Sequence, residues 1–184
     1  WIKGWNDNER GNIDMKEYLE FKSTMREYKI NITLDLIGAG TGPESKNIIK
    51  KAKSIDKKSD FIFIHQLQSK DDVQKILSKS NLFIFASTCE NLPITLIEYM
   101  KSNIPIICNK IQPSVEVLQN GSVYFDVNKK YDFANKLLEL LNNINLQKKI
   151  TKISYNNSKK YDWDLCAINT FNFLQNSIDK TLIK

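Results

Sequence analysis

A single histidine, His65, and only three cysteines serve the whole 184-residue chain. A Ser-His-Asp or Cys-His arrangement would have to be built around that one imidazole, and no G-x-S-x-G elbow supplies a serine for it. Cys89, Cys108 and Cys166 are widely spaced and odd in number, with no C-x-x-C and no Cys/His cluster. That pattern excludes a zinc site and fits a reducing cytoplasm. Carboxylates and histidine do not cluster either, so no metal is expected. No run approaches the roughly 20 apolar residues that span a bilayer, and no signal-peptide pattern is present. Internal repeats, low-complexity tracts and interdomain linkers are also missing. The N-x-S/T matches at Asn31, Asn120 and Asn156 are expected by chance in so Asn-rich a chain.

What is present suffices for one core. At 41% hydrophobic content, residues 1–184 read as a single domain. The chain opens on Trp1 within an apolar segment, which suggests a piece of a longer polypeptide. A net charge of +6 rewards any anionic partner. Much of the lysine falls at Lys46, Lys50, Lys51, Lys53, Lys57 and Lys58, the pattern of a solvated helix face. Aromatic residues are not interleaved with them as a stacking platform requires, so nucleic acid is not an expected partner.

Short apolar runs alternate with amphipathic stretches along the chain, the signature of β-α-β units. The fold class expected is α/β: a Rossmann-like, doubly wound parallel sheet of about six strands with helices on both faces. Strands are predicted at Trp1 to Trp5, Ile32 to Ile37, Phe61 to Ile64, Leu82 to Ala86, Ile104 to Cys108 and Val123 to Phe125. Helical spacing marks Met15, Tyr18, Leu19 and Met25, then Val73, Ile76 and Leu77, then Leu92, Leu96, Ile97 and Met100. After the last strand come a helix over Phe133 to Leu141, a short linker helix, and a long terminal helix, the last two spanning about 146–184. Ala167, Phe171, Leu174, Ile178 and Leu182 form one stripe on the long helix, suited to a neighbour.

Ligands of such sheets bind beyond the carboxyl ends of the strands, which directs attention to the loops beginning at Asn6, Gly38, His65, Ser87 and Asn109. The most informative segment runs from Ser87 to Met100, leaving a buried strand and entering a helix. Pro93 suits the first helical position, and the amides of Ile94 and Thr95 would then point outward to a diphosphate. Glu90 in the loop and Glu98 in the second turn flank that anion site. Carboxylates accept hydrogen bonds from hydroxyls, so one would suit a sugar and the other a ribose. A loop glutamate beside a surface helix glutamate would give the same spacing without any ligand.

The Glu90 to Glu98 segment resembles the E-x7-E motif of the retaining family 4 glycosyltransferases of the GT-B fold. The resemblance continues through Lys101-Ser102-Asn103-Ile104-Pro105-Ile106-Ile107-Cys108, similar to the family's A-x-G-x-P-V-V, to Glu116, Asp126 and Tyr161-Asp162-Trp163-Asp164. At the front, Gly4-Trp5-Asn6-Asp7-Asn8-Glu9-Arg10-Gly11 aligns on G-R-L-x-x-x-K-G, and Gly38-Ala39-Gly40 on G-x-G. By this resemblance Glu90 binds the donor sugar, Glu98 the ribose, and Arg10 stabilises the leaving diphosphate, so Glu90 and Arg10 are the catalytic candidates. Trp5 stands in place of the family's arginine, and Lys3 lies on the same strand face. His65 or Gln66 replaces a glycine near the base. The donor-binding set implied is Lys3, Gly4, Trp5, Arg10, Ile64, His65, Gln66, Leu67, Gln68, Glu90, Asn91, Leu92, Pro93, Ile94, Thr95 and Glu98.

The expected function is the donor-binding half of an enzyme that moves a sugar from a nucleoside diphosphate sugar, without cofactor or metal, in cell-surface polysaccharide or lipopolysaccharide synthesis. The acceptor, a glycan or lipid-linked sugar, would dock on an absent N-terminal domain. The expected location is cytoplasmic, with peripheral association of the parent at the inner membrane face. Two other readings are a non-catalytic docking module and a GT-B epimerase or phosphorylase domain. Among single residues, His65 reads as a loop residue lining the nucleotide pocket, Gly38 to Gly42 as a tight turn, Cys89 and Cys108 as buried packing residues, and Trp163 as a core anchor for the last helix.

Overall fold

A computed structural model describes residues 32–39, 42–66 and 69–182. The expected strand at 1–5 and the helix through Met15 and Met25 lie outside the described residues. Within them the order is β1 (Leu34–Ala39), α1 (Pro43–Ile55), β2 (Ile62–Gln66), α2 (Lys70–Leu77), β3 (Phe83–Phe85), α3 (Ile94–Met100), β4 (Ile106–Asn109), α4 (Gln112–Leu118) and β5 (Val123–Phe125). Three helices follow: α5 (Asp132–Leu141), α6 (Ile144–Ser158) and α7 (Trp163–Leu182). Every crossover contains a helix, as the alternation of periods requires. The linker helix expected to be short is instead the 15-residue α6.

All strand pairing among the described residues is parallel: Leu34 opposes Ile62, Phe83 opposes Ile106, and Ile107 opposes Val123. The expectation of about six strands in one sheet is corrected to five among the described residues, hydrogen-bonded as β1-β2 and as β3-β4-β5. Apolar packing nevertheless joins the two sheets. Leu34, Leu36 and Ile62 share a cluster with Ile84, Ile107, Val123 and Phe125, covered by Ala52 of α1, Phe133, Leu137 and Leu140 of α5, and Ile150 of α6. The alternate residues of the longer sheet, Phe83, Phe85, Ile106 and Cys108, face Leu77 of α2, Leu96 and Met100 of α3, and Val117 and Leu118 of α4. Because side chains alternate along a strand, one run of apolar residues feeds both layers, and the fold is doubly wound.

Local chemistry sets the ends of these elements. The Ser69 hydroxyl accepts from the Asp72 amide and caps α2. At the end of α1 the buried Asp56 carboxylate accepts from the amides of Asp60, Phe61 and Ile62, at 3.0, 2.7 and 2.7 Å, and so fixes the start of β2. Gly38 adopts φ 88° where the β1-β2 register slips between Ile37 and Ala39. The expected tight turn is therefore, at Gly38, a bulge inside β1, in a conformation that glycine adopts without strain. Asn103 has φ 58°, a left-handed position that asparagine tolerates better than most residues, where the A-x-G-x-P pattern has its glycine.

Candidate functional site

The buried strand β3 delivers the chain to its carboxyl end at Ser87, and the loop from there to Pro93 carries Glu90. Glu90 is half-buried in that loop, whereas Glu98 lies exposed in the second turn of α3. The two carboxylates thus bracket the helix start, as the spacing predicts. The helix start itself differs. Pro93, with φ −77° and ψ 72°, is the cap and not the first helical residue, and the Ile94 amide donates back to the Leu92 carbonyl at 2.8 Å. These are the dihedrals of an inverse γ-turn, which spends the Ile94 N–H inside the turn instead of offering it to an anion. Pro93 and its neighbours Leu96 and Ile97 are buried, while Asn91, Leu92 and Ile94 are exposed and Thr95 is half-buried.

The second expected contributor is the end of β2. Strand β2 continues to Gln66, so His65 is a strand residue and not a loop residue. Its Nε2 lies 2.7 Å from Oδ1 of Asp35 on β1, with both side chains about one-third exposed. Register explains the contact: His65 opposes Ile37, which shares a face with Asp35 two residues earlier. Ile64, also a strand residue, is partly buried and packs against the first apolar cluster. Gln66 is exposed at the strand end. Lys3, Gly4, Trp5, Arg10, Leu67 and Gln68 lie outside the described residues.

Glu98 also borders a groove of about 420 Å³ between α2, α3 and the start of α7. Leu92, Ile94, Val73, Tyr99 and Trp163 line it, with Lys70 and Lys101 among its charged residues. The Lys70 ammonium stands 3.6 Å from Oε1 of Glu98 and is almost fully exposed, so the pair contributes little to stability. Burial, with the Glu98 charge as a lesser cause, raises the pKa of the Tyr99 hydroxyl above the usual phenol range. Glu90, Asn91, Pro93 and Thr95 are not among the groove's lining residues, so the groove meets the predicted site only along its Leu92, Ile94 and Glu98 side. Lys70 was not singled out in the sequence. Its one available signal was its place just beyond the loop that follows β2.

Two packing expectations are overturned. Cys89 is exposed, because the loop leaving β3 reaches the surface by the fourth residue past Phe85, whereas Cys108 is buried as expected. Trp163 is 74% exposed and anchors no core; it opens α7, along which every residue from Trp163 to Ser177 is exposed. Among the described residues no group of three His, Cys, Asp or Glu side chains converges as a metal site would need, and no helix is long and apolar enough to cross a membrane.

The sequence profile of the glycosyl transferases group 1 family matches residues 14–157, well over half of the chain. The chain belongs to that family. An uncharacterised glycosyltransferase of Methanocaldococcus jannaschii is 26% identical over 143 residues, spanning 76% of this chain but 39% of the archaeal protein. The α,α-trehalose 6-phosphate synthase of Burkholderia multivorans superposes with a TM-score of 0.79 at 8% identity, over 93% of this chain and 40% of that one. An E. coli trehalose-6-phosphate structure with bound UDP-2-fluoro glucose gives a TM-score of 0.72 at 12% identity, over 86% of this chain and 40% of that one. This group 1 glycosyltransferase chain of GT-B type thus spans less than half the length of these proteins.

Proposed function

We propose that this domain binds the nucleoside diphosphate sugar of a retaining glycosyltransferase, gripping the hexose with Glu90 and the ribose with Glu98. The observation that carries this reading is the position of the two carboxylates, one in the loop at the carboxyl end of β3 and the other in the second turn of α3. The bound UDP-2-fluoro glucose of the E. coli structural relative supports a nucleotide sugar as the ligand class. A hydroxyl-rich ligand suits acceptor-only carboxylates, and binding needs neither cofactor nor metal. In the parent protein, catalysis would consist of positioning the donor and stabilising the leaving diphosphate, with Arg10 as the cation for that role. The remainder of the parent would hold the acceptor, a glycan or lipid-linked sugar, on the cytoplasmic side of the membrane in cell-surface polysaccharide or lipopolysaccharide synthesis.

Calorimetric titration of UDP, GDP and ADP, and of their sugar conjugates, tests the reading. Glu98→Gln is expected to weaken bare nucleotide and nucleotide sugar alike, whereas Glu90→Gln weakens only the nucleotide sugar. The loss of one charge-assisted hydrogen bond corresponds to roughly 1.5 to 3 kcal/mol, or about ten- to a hundredfold in affinity. Absence of heat with every nucleotide, or equal losses of bare nucleotide in both variants, would remove the assignment.

A further inference from the structure

Two buried polar side chains interrupt the apolar ends of the central strands. Ser87 is 1% exposed just beyond β3, and Asn109 is 3% exposed as the last residue of β4. Burying such groups is unfavourable unless each polar atom is paired, and here the pairing runs in one direction. The Asn109 Oδ1 accepts from the Val127 amide beyond β5 at 3.4 Å, while its Nδ2 donates to the Ser87 carbonyl at 3.0 Å. The Ser87 hydroxyl in turn donates to the Cys89 carbonyl at 3.2 Å, one peptide before Glu90. The loop from Ala86 to Pro93 belongs to no helix or strand, so these side-chain contacts tie its first turn to the rigid sheet.

We infer that Asn109 and Ser87 are positioning residues, forming a buried relay from β4 and β5 that fixes the backbone carrying Glu90. The inference rests on the donor-site reading above and deepens it. A sugar's hydroxyl is recognised only by a carboxylate held within a fraction of an ångström, and a side chain on an untethered loop loses that precision. Neither positioning residue touches the sugar. Their effect should appear only in the part of the affinity that Glu90 supplies, and not in the part supplied through Glu98 on α3.

The test compares UDP-glucose, GDP-mannose and ADP-glucose, each beside its bare nucleoside diphosphate, by calorimetry on the wild-type chain and on Ser87→Ala, Asn109→Ser, Cys89→Ala and Glu90→Gln. Ser87→Ala deletes one donor without adding bulk, and Asn109→Ser shortens the side chain out of reach of both partners. Each is expected to bind the nucleotide sugar roughly three- to tenfold more weakly while bare nucleotide binding stays unchanged, in proportion to the hydrogen bond lost. Cys89→Ala, which keeps the backbone carbonyl, should bind as wild type. If Glu90→Gln loses sugar-specific affinity but Ser87→Ala does not, or loses both ligands equally, the relay is wrong and the donor site stands. If no ligand binds the wild type, or Glu90→Gln shows no selectivity, both are wrong. Should Asn109→Ser fail to fold, Ser87→Ala decides alone.

Discussion

Single residues show how far type and spacing can be read without the fold. The carboxylates of Glu90 and Glu98 were legible because an eight-residue offset across a strand-to-helix junction brackets a helix start whatever the flanking sequence. The partnership of His65 with Asp35 was not, since it depends on a register between strands 30 positions apart. Cysteine burial divides in the same way. Cys108 sits in an apolar strand and is buried, while Cys89 is four residues past β3 and emerges with the loop. Burial pushes the Cys108 thiol up from 9.0 to about 12. The folded state therefore holds that proton more tightly than the unfolded chain. Its contribution to stability is complete below pH 9 and is lost as pH rises towards 12. At pH 8 a disulfide reagent should label Cys89 and Cys166 quickly and Cys108 only after unfolding. Urea midpoints should fall between pH 9 and 11, less steeply in Cys108→Ala; an unchanged slope in that variant would mean that other groups, such as the half-buried Tyr124, carry the decline.

Among the described residues, elements were legible in kind and order, with boundaries off by at most two residues because frayed ends depend on caps. The short linker helix proved to be α6, and its length follows from what it covers: Ile150 joins the first core cluster and Asn157 donates to the Leu118 carbonyl at 2.9 Å. Gly121 makes that approach feasible. A β-carbon there would lie 2.8 Å from the backbone nitrogen and α-carbon of Ser154 and 2.9 Å from the Leu118 oxygen, none of which belongs to a flexible side chain. Gly121→Ala is therefore expected to force α6 outward and lower stability by about 1–3 kcal/mol, measured as a shift in urea midpoint with helix content preserved. A neutral result would show that α6 moves freely. For α7 the apolar stripe identified a face for burial but not its partner. Its Phe171 and Leu174, 72% and 51% exposed, show that periodicity alone does not bury a helix.

At the scale of the whole molecule, hydrogen bonding divides the described strands into two sheets while packing unites them. Because Ile107 sits at the centre of the cluster that both sheets share and is fully buried, Ile107→Ala should cost about 2–5 kcal/mol. Unfolding followed by near- and far-ultraviolet circular dichroism should remain one coincident transition, whereas separated transitions would mean that the β1-β2 pair melts by itself. By itself the sequence determined the α/β class, the parallel crossovers, the double winding and the pair of carboxylates at the end of β3. Those features follow from local periodicity and from the rule that parallel strands open their sites at one end. The tertiary structure alone decided that His65 meets Asp35, that Lys70 meets Glu98, that the Ile94 amide closes a turn, and that Asn109 holds Ser87 from 22 positions away. Contacts of this kind depend on register and on dihedral angles, and those are fixed only when every layer of the fold packs at once.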